Sequence, residues 1–166
     1  MASSLNFGKS FDICEGIASA AGSLPQRESL DNIAYLANFS IGQGELLLSP
    51  AAMLTLYCAA AYDGSYALPT AVSGTLSGGR FTPVSERGRT RVMTARTAKE
   101  LREYLSAVIT EGTGKAAAPK TVSAAGKTAT AQTGKYENGK EICEGWFCGF
   151  FPADEPEYTV IVFSEN

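Results

Sequence analysis

The alternation of apolar and polar positions divides the chain into a loop-rich first part, two helical segments and a β-rich end. Residues 7 to 45 are rich in Gly, Ser, Asn and Asp, with a short helix predicted near Ser29 to Phe39. Leu46 to Tyr62, LLLSPAAMLTLYCAAAY, is an uncharged run at the lower edge of bilayer-spanning length. Ser49 and Pro50 interrupt it as an N-cap and a first helical residue. The spacing therefore predicts a buried core helix of about four turns, stopping near Asp63-Gly64. Residues 68 to 94 mix small, polar and β-branched positions around Ser-Gly-Gly and Glu-Arg-Gly, the pattern of a hairpin or an irregular excursion. Thr97 to Glu100 spells a capping box, and Leu101, Leu105, Val108 and Ile109 follow as one apolar stripe at helical spacing. Gly112 and Gly114 end that helix.

The last third predicts an antiparallel meander. Thr121 to Tyr136 forms one strand, Asn138-Gly139 a type I′ turn, Glu141 to Phe151 the return, and Tyr158 to Ser164 a third strand. In the second strand Trp146, Cys148 and Phe150 face one way, Phe147 and Phe151 the other. In the third, Tyr158, Val160 and Val162 oppose Thr159, Ile161 and Phe163. Strands apolar on both faces are expected to be covered by helices on both sides. The outer edge of the third strand has no evident partner in the sequence. An open apolar edge is an aggregation hazard, so the sheet reads as short of strands and the chain as part of something larger.

Composition narrows the chemistry. The chain has 166 residues, 45% hydrophobic and 19% charged, with a net charge of −3, which fits one globular domain and gives no electrostatic reason to expect nucleic acid. Arg87, Arg89, Arg91 and Arg96 read as decoration of a solvated loop or hairpin. Histidine is absent, which excludes Ser-His-Asp and Cys-His catalysis and histidine-based zinc sites from this chain. Acyl-transfer chemistry here must use lysine, a carboxylate or a hydroxyl. Cys14, Cys58, Cys143 and Cys148 form no Cys-x-x-Cys pair, and Cys143 and Cys148 fall on opposite strand faces. They read as buried free thiols, with one unassigned disulfide left open. The start, MASSLNFGKS, lacks the charged and apolar regions of a signal peptide, so neither signal nor anchor is expected in this chain.

Gly126-Lys127-Thr128 carries the candidate chemistry, and two readings compete for it. A phosphate-binding loop needs glycine five residues before Gly126, where the chain has Thr121, and it must open a helix. The residues after Lys127 run extended into the Asn138-Gly139 turn, which removes the nucleotide reading. A strand-borne acyl-transfer site remains. The stretch AGKTATAQTG resembles the Lys-Thr-Gly motif of penicillin-binding proteins, the serine D,D-transpeptidases that cross-link peptidoglycan. GTGKAA before it, GWFCGFFP and YTVIVFSEN after it, and upstream IGQGELLLSPAAMLTLYCAAAYDGSYALP and NFGKSFDICEGIASAAGSLP resemble the same family in order, from about Phe7 to Asn166.

The resemblance implies an α+β fold: a three-stranded antiparallel meander with packed helices, the C-terminal part of a penicillin-binding or β-lactamase-like transpeptidase. One partial domain over 1–166 then divides into a Gly-Gln-Gly segment with buried helix (7–66), a hairpin-like excursion (67–96), an amphipathic helix (97–114) and the meander (119–166). Lys127 and Thr128 are the implied catalytic residues, Lys127 supplying charge and proton relay beside a serine. Thr128 and Thr130 are implied to hydrogen-bond a substrate or β-lactam carboxylate, and the Thr130 backbone N–H to supply half an oxyanion hole. Ala129, with Thr130 a substrate-binding position, stands where the family usually has glycine, and its methyl group is expected to narrow the site. No metal or cofactor is implied.

The family's nucleophile lies in Ser-x-x-Lys, and no lysine of this chain has serine three residues before it. Ser4-Leu5-Asn6 and Ser164-Glu165-Asn166 spell the family's second motif, Ser-x-Asn, and Tyr136-Glu137-Asn138 a variant, all out of place in chain order or context. The chain is thus expected to hold the third motif without the nucleophile, and to be inactive alone. Met-Ala-Ser then reads as a start added to a truncated gene. Expected partners are peptidoglycan stem peptides and β-lactams in the whole domain, the domain's missing N-terminal half, and a second copy through the open strand edge. The parent protein is expected at the extracytoplasmic face of the bacterial membrane. A non-catalytic, degenerate relative and a serine β-lactamase-like hydrolase are the alternatives.

Overall fold

The computed structural model describes residues 2–85 and 87–165. Asn166, which completes the second Ser-x-Asn spelling, and Met1 of the Met-Ala-Ser start lie outside them. In chain order the elements are β1 (Asp12–Cys14), β2 (Ile17–Ala18), α1 (Ile33–Ser40), α2 (Pro50–Ala61), β3 (Ser65–Ala67), β4 (Gly74–Ser77), β5 (Arg80–Pro83), β6 (Arg89–Arg91), α3 (Ala95–Thr110), β7 (Ala125–Glu137), β8 (Lys140–Phe151) and β9 (Tyr158–Glu165). The fold is α+β, with an antiparallel sheet in the order β7-β8-β9. No helix among the described residues is long and apolar enough to cross a membrane.

The core helix α2 begins where its sequence says. The Ser49 side chain accepts from the Ala52 N–H, and Pro50 occupies the first turn, where a missing N–H costs nothing. The helix is apolar nearly all round because it is shared by two clusters. Tyr57, Ala60 and Ala61 meet Ala125, Cys148 and Phe150 of the sheet. Ala59 turns instead towards Leu5, Tyr66, Met93 and Ala98.

Helix α3 starts one turn earlier than the capping box predicts. Thr94 is the cap: its Oγ1 accepts from the Thr97 N–H at 3.1 Å, and Glu100 pairs with Arg96 at 2.9 Å rather than reaching back. The physical reason is local: the Thr94 hydroxyl takes the Thr97 N–H, and Arg96 takes the Glu100 carboxylate that the box would have used. The apolar stripe holds, with Leu101 and Leu105 against the sheet cluster and Ile109 buried.

The excursion between α2 and α3 is a hairpin, β4-β5, carried on a second two-stranded pair, β3-β6. The arginines there do more than face water. Arg87 donates to the carbonyls of Asp12 and Pro69, Arg89 lies 4.2 Å from the Tyr62 ring centroid, and Arg91 pairs with Asp63 at 2.6 Å. The Ser65 hydroxyl, with the Arg91 guanidinium, holds the Asp63 carboxyl below its ordinary range.

In the meander, Asn138 and Gly139 both have positive φ (51° and 78°), as a type I′ turn requires. β7 starts at Ala125 rather than Thr121. Ser123 is drawn away, its carbonyl and Oγ both accepting from the Ala153 N–H. Both helices pack on one face of the sheet, that of Trp146, Cys148, Phe150 and Ile161. The opposite face carries Phe147, Phe151, Val160 and Val162, with Tyr158 60% and Val162 52% exposed. Helical cover is therefore one-sided, where the sequence pattern predicted two sides. The four cysteines are free; Cys148 alone is buried, which pushes its thiol up to about 11, and the others are half-buried.

Candidate active-site strand

The site grows from the free edge of β7. Gly126 crosses β8 closely: a Cβ there would sit 2.8 Å from the Cys148 carbonyl oxygen and from the Phe147 ring. Glycine at this point leaves room for the Phe147 ring beside the strand, and the neighbouring Lys127 is exposed. From Lys127 onward residues alternate. Lys127, Ala129 and Ala131 stand opposite Cys148, Trp146 and Glu144, on the face that carries the helices. Thr128 and Thr130 project to the other face, opposite Phe147 and Gly145.

A cavity of about 560 Å³ opens between this strand and the start of α2. Its apolar walls are Leu46, Leu48, Met53, Tyr57, Trp146, Cys148 and Phe163. Gln43, Lys127, Thr130 and Glu144 bring polar groups to it. A largely apolar cleft with a few convergent polar groups is what a small-molecule or peptide site requires. The Lys127 side chain is exposed and its Nζ donates to the Thr128 carbonyl at 2.5 Å. The ion pairs among the described residues are Arg91–Asp63 and Arg96–Glu100, so the Lys127 charge is not cancelled there by a carboxylate. Burial raises the Tyr57 hydroxyl far above its usual range, so it stays neutral on the cavity wall.

The structure thus brings Lys127, Ala129 and Thr130 to the cavity and leaves Thr128 off its lining. Thr128 Oγ1 is instead 3.3 Å from Thr113 Oγ1, a contact that ties the strand to the loop after α3. Ala129 is exposed and outside the positive-φ positions, so its methyl group imposes no backbone strain. The chance spellings of Ser-x-Asn resolve structurally. Asn6 donates from Nδ2 to the Tyr66 hydroxyl at 2.8 Å, and Asn138 serves the turn.

Sequence reasoning did not foresee Gln43, Trp146 or Glu144 at the site. Gln43 Nε2 donates to the Thr130 carbonyl at 3.3 Å across 87 residues, which no local pattern reveals. Trp146 and Glu144 require the strand register. A count from the Asn138-Gly139 turn misplaces them, because Thr133 to Lys135 bulge opposite Ile142 and shift the pairing by two. Gly134, at φ 68°, is the one signal of that bulge in the sequence.

With this geometry in view, the family is defined by comparison. The model of the penicillin-binding protein transpeptidase domain matches residues 1–166, and the chain belongs to that family. Among curated relatives, it is 31% identical to the peptidoglycan D,D-transpeptidase MrdA of Acinetobacter baumannii over 140 residues, 76% of this chain and 21% of that protein. It is 30% identical to penicillin-binding protein PbpB of Mycobacterium tuberculosis over 158 residues, 89% of this chain and 23% of that protein. Among solved structures, the D,D-transpeptidase domain of a peptidoglycan glycosyltransferase from Eggerthella lenta superposes with a TM-score of 0.84 at 27% identity, covering 98% of this chain and 41% of that one. Penicillin-binding protein 3 of M. tuberculosis complexed with aztreonam gives 0.82 at 28%, covering 99% and 39%. The chain thus spans less than a quarter of these curated relatives and about two fifths of the solved chains.

Proposed function

We propose that the chain forms one wall of a serine D,D-transpeptidase that cross-links peptidoglycan stem peptides through an acyl-enzyme and is acylated by β-lactams. The observation that carries this is Lys127, an ammonium without an ion-pair partner among the described residues, on the cavity side of a free strand edge, within a chain of the transpeptidase family. In this reading an extended donor peptide adds to β7 as a further strand. The Thr130 N–H stabilises the oxyanion and its hydroxyl holds the substrate carboxylate, whereas the Thr128 hydroxyl, off the cavity lining, must first leave Thr113 to join it. Lys127 supplies the field and proton relay that favour attack by a serine borne on another segment of the protein.

The chain has no Ser-x-x-Lys, so the nucleophile and its base belong to sequence beyond these 166 residues. The bare sheet face around Tyr158 and Val162 and the outer edge of β9 are where that segment docks in this reading. Expressed without it, the chain pairs this edge with a second copy. The parent protein works at the extracytoplasmic face of the membrane, where peptidoglycan lies. In the full-length protein, a fluorescent penicillin will form a lasting adduct. Loss of the adduct within seconds by hydrolysis would instead make the protein a β-lactamase-like hydrolase.

Ala129→Gly checks whether the methyl group narrows the site. The exposed, unstrained position predicts destabilisation of about 0.5–1 kcal/mol, the usual effect of glycine within a strand. It also predicts an acylation rate within about threefold of the parent, below the effect of one methylene in a tight pocket. A tenfold or larger rate gain would show that the methyl group does obstruct substrate.

A further inference from the structure

The edge of β7 that the transpeptidase reading offers to substrate is already occupied at one point. The Thr128 and Thr130 carbonyls, two residues apart and so turned the same way, both accept from side chains. For Thr128 the donor is its neighbour Lys127. For Thr130 it is Gln43, from the loop between α1 and α2. A side-chain amide N–H on a strand-edge carbonyl is chemically what the N–H of an added peptide strand would be.

The loop is built to present this group and to release it. Gly42 and Gly44 flank Gln43 with φ of 79° and 88°. A Cβ at Gly42 would meet nothing within 4 Å, and one at Gly44 only the Asn38 Cβ at 3.9 Å. These glycines are therefore required by backbone conformation and not by crowding, and space around the loop is free. Its ends are fixed. The Gln43 N–H donates to the Asn38 carbonyl at the end of α1, and Leu47 exchanges backbone hydrogen bonds with Ser23. The backbone of Gln43 is thus held, as is the Glu45 carbonyl by the Ser23 hydroxyl at 2.9 Å, and only the Gln43 side chain has to swing to release Thr130.

We propose that Gln43 is a specificity-determining residue: it holds the Thr130 carbonyl as an internal stand-in for the amide of an extended ligand, which must displace it to pair with β7. This rests on the transpeptidase reading and deepens it. Ligands that donate an amide N–H to the edge compete with Gln43. Ligands without such a donor leave it in place and gain nothing from its removal.

The test uses the full-length protein and two β-lactams with the same bicycle: benzylpenicillin, which has a side-chain amide N–H, and penicillanic acid, which has none. Second-order acylation rates are measured by mass spectrometry for the parent and for Gln43→Ala. Gln43→Met, of similar length but without a donor, guards against collapse of the loop. Both variants are expected to react about 2- to 10-fold faster with benzylpenicillin, the range of one net hydrogen bond, and at the parent rate with penicillanic acid. Equal changes with both compounds, or slower reaction with benzylpenicillin, would overturn the role of Gln43 alone. No acylation of the parent by either compound would overturn the transpeptidase reading, and this inference with it.

Discussion

Lys127→Ala in the full-length protein will lower the second-order rate of acylation by benzylpenicillin about 100- to 10,000-fold, the range over which a positioned proton-transfer group acts. The folded state will hardly change, because the side chain is exposed and its one recorded bond is to the carbonyl of the next residue. Surface substitutions of this kind stay within about 0.5 kcal/mol. Lys127→Arg should restore only part of the rate. A guanidinium keeps the charge but spreads it over a planar fork and cannot give up its proton at working pH. The measurement is the rate of adduct formation set beside the thermal midpoint of each variant. A rate within threefold of the parent in Lys127→Ala would remove Lys127 from the chemistry.

Phe150→Ala is the largest expected effect on stability, about 3–5 kcal/mol. Phe150 is 1% exposed at the middle of the sheet cluster, opposite Ala125 on one side and Thr159 on the other. Both neighbours are small, so they cannot fill the space the ring leaves. Against a typical net stability of about 5–15 kcal/mol, the loss consumes a large part of the whole. Urea unfolding of the full-length protein, followed by tryptophan fluorescence, should show the midpoint fall sharply; Trp146 packs against the same cluster. A shift equivalent to less than 1 kcal/mol would mean that the sheet does not depend on this packing.

The sequence carried the local rules of the fold well. Ser49-Pro50 and Asn138-Gly139 each specify their own geometry, a cap and a turn, without help from distant residues. A local signal can also be spent elsewhere. Thr97 spells a helix start, but Thr94 caps the Thr97 N–H one turn earlier and Glu100 pairs with Arg96 instead of closing the box. The thiols show the same limit: strand alternation separates Cys143 from Cys148, yet only the position beneath α2 is buried. Two-sided apolar strands say that both faces need cover. They do not say that the cover comes from this chain, and here α2 and α3 supply one side alone.

The site was legible to the extent that it is a motif. Lys127 and Ala129 follow from one strand and its alternation; Thr130 faces the other way, yet it too lines the cavity, at the edge where Gln43 meets its carbonyl. Thr128 shows where spelling and geometry part: strand alternation turns it to the other face, where it meets Thr113. Gln43 was visible only as part of a Gly-Gln-Gly segment. Its bond to Thr130 depends on where a loop anchored at Asn38 and Ser23 falls relative to a strand 87 residues later.

The central claim is that this chain lends a strand to a serine acyl-transfer site whose nucleophile lies elsewhere in the protein. Labelling with a fluorescent penicillin, followed by peptide mapping of the adduct, tests it most directly. The 166-residue chain alone should take up no label, and the full-length protein should carry one acyl group on a serine outside these residues. A covalent adduct on any residue of this chain, or a full-length protein that stays unlabelled, would contradict it.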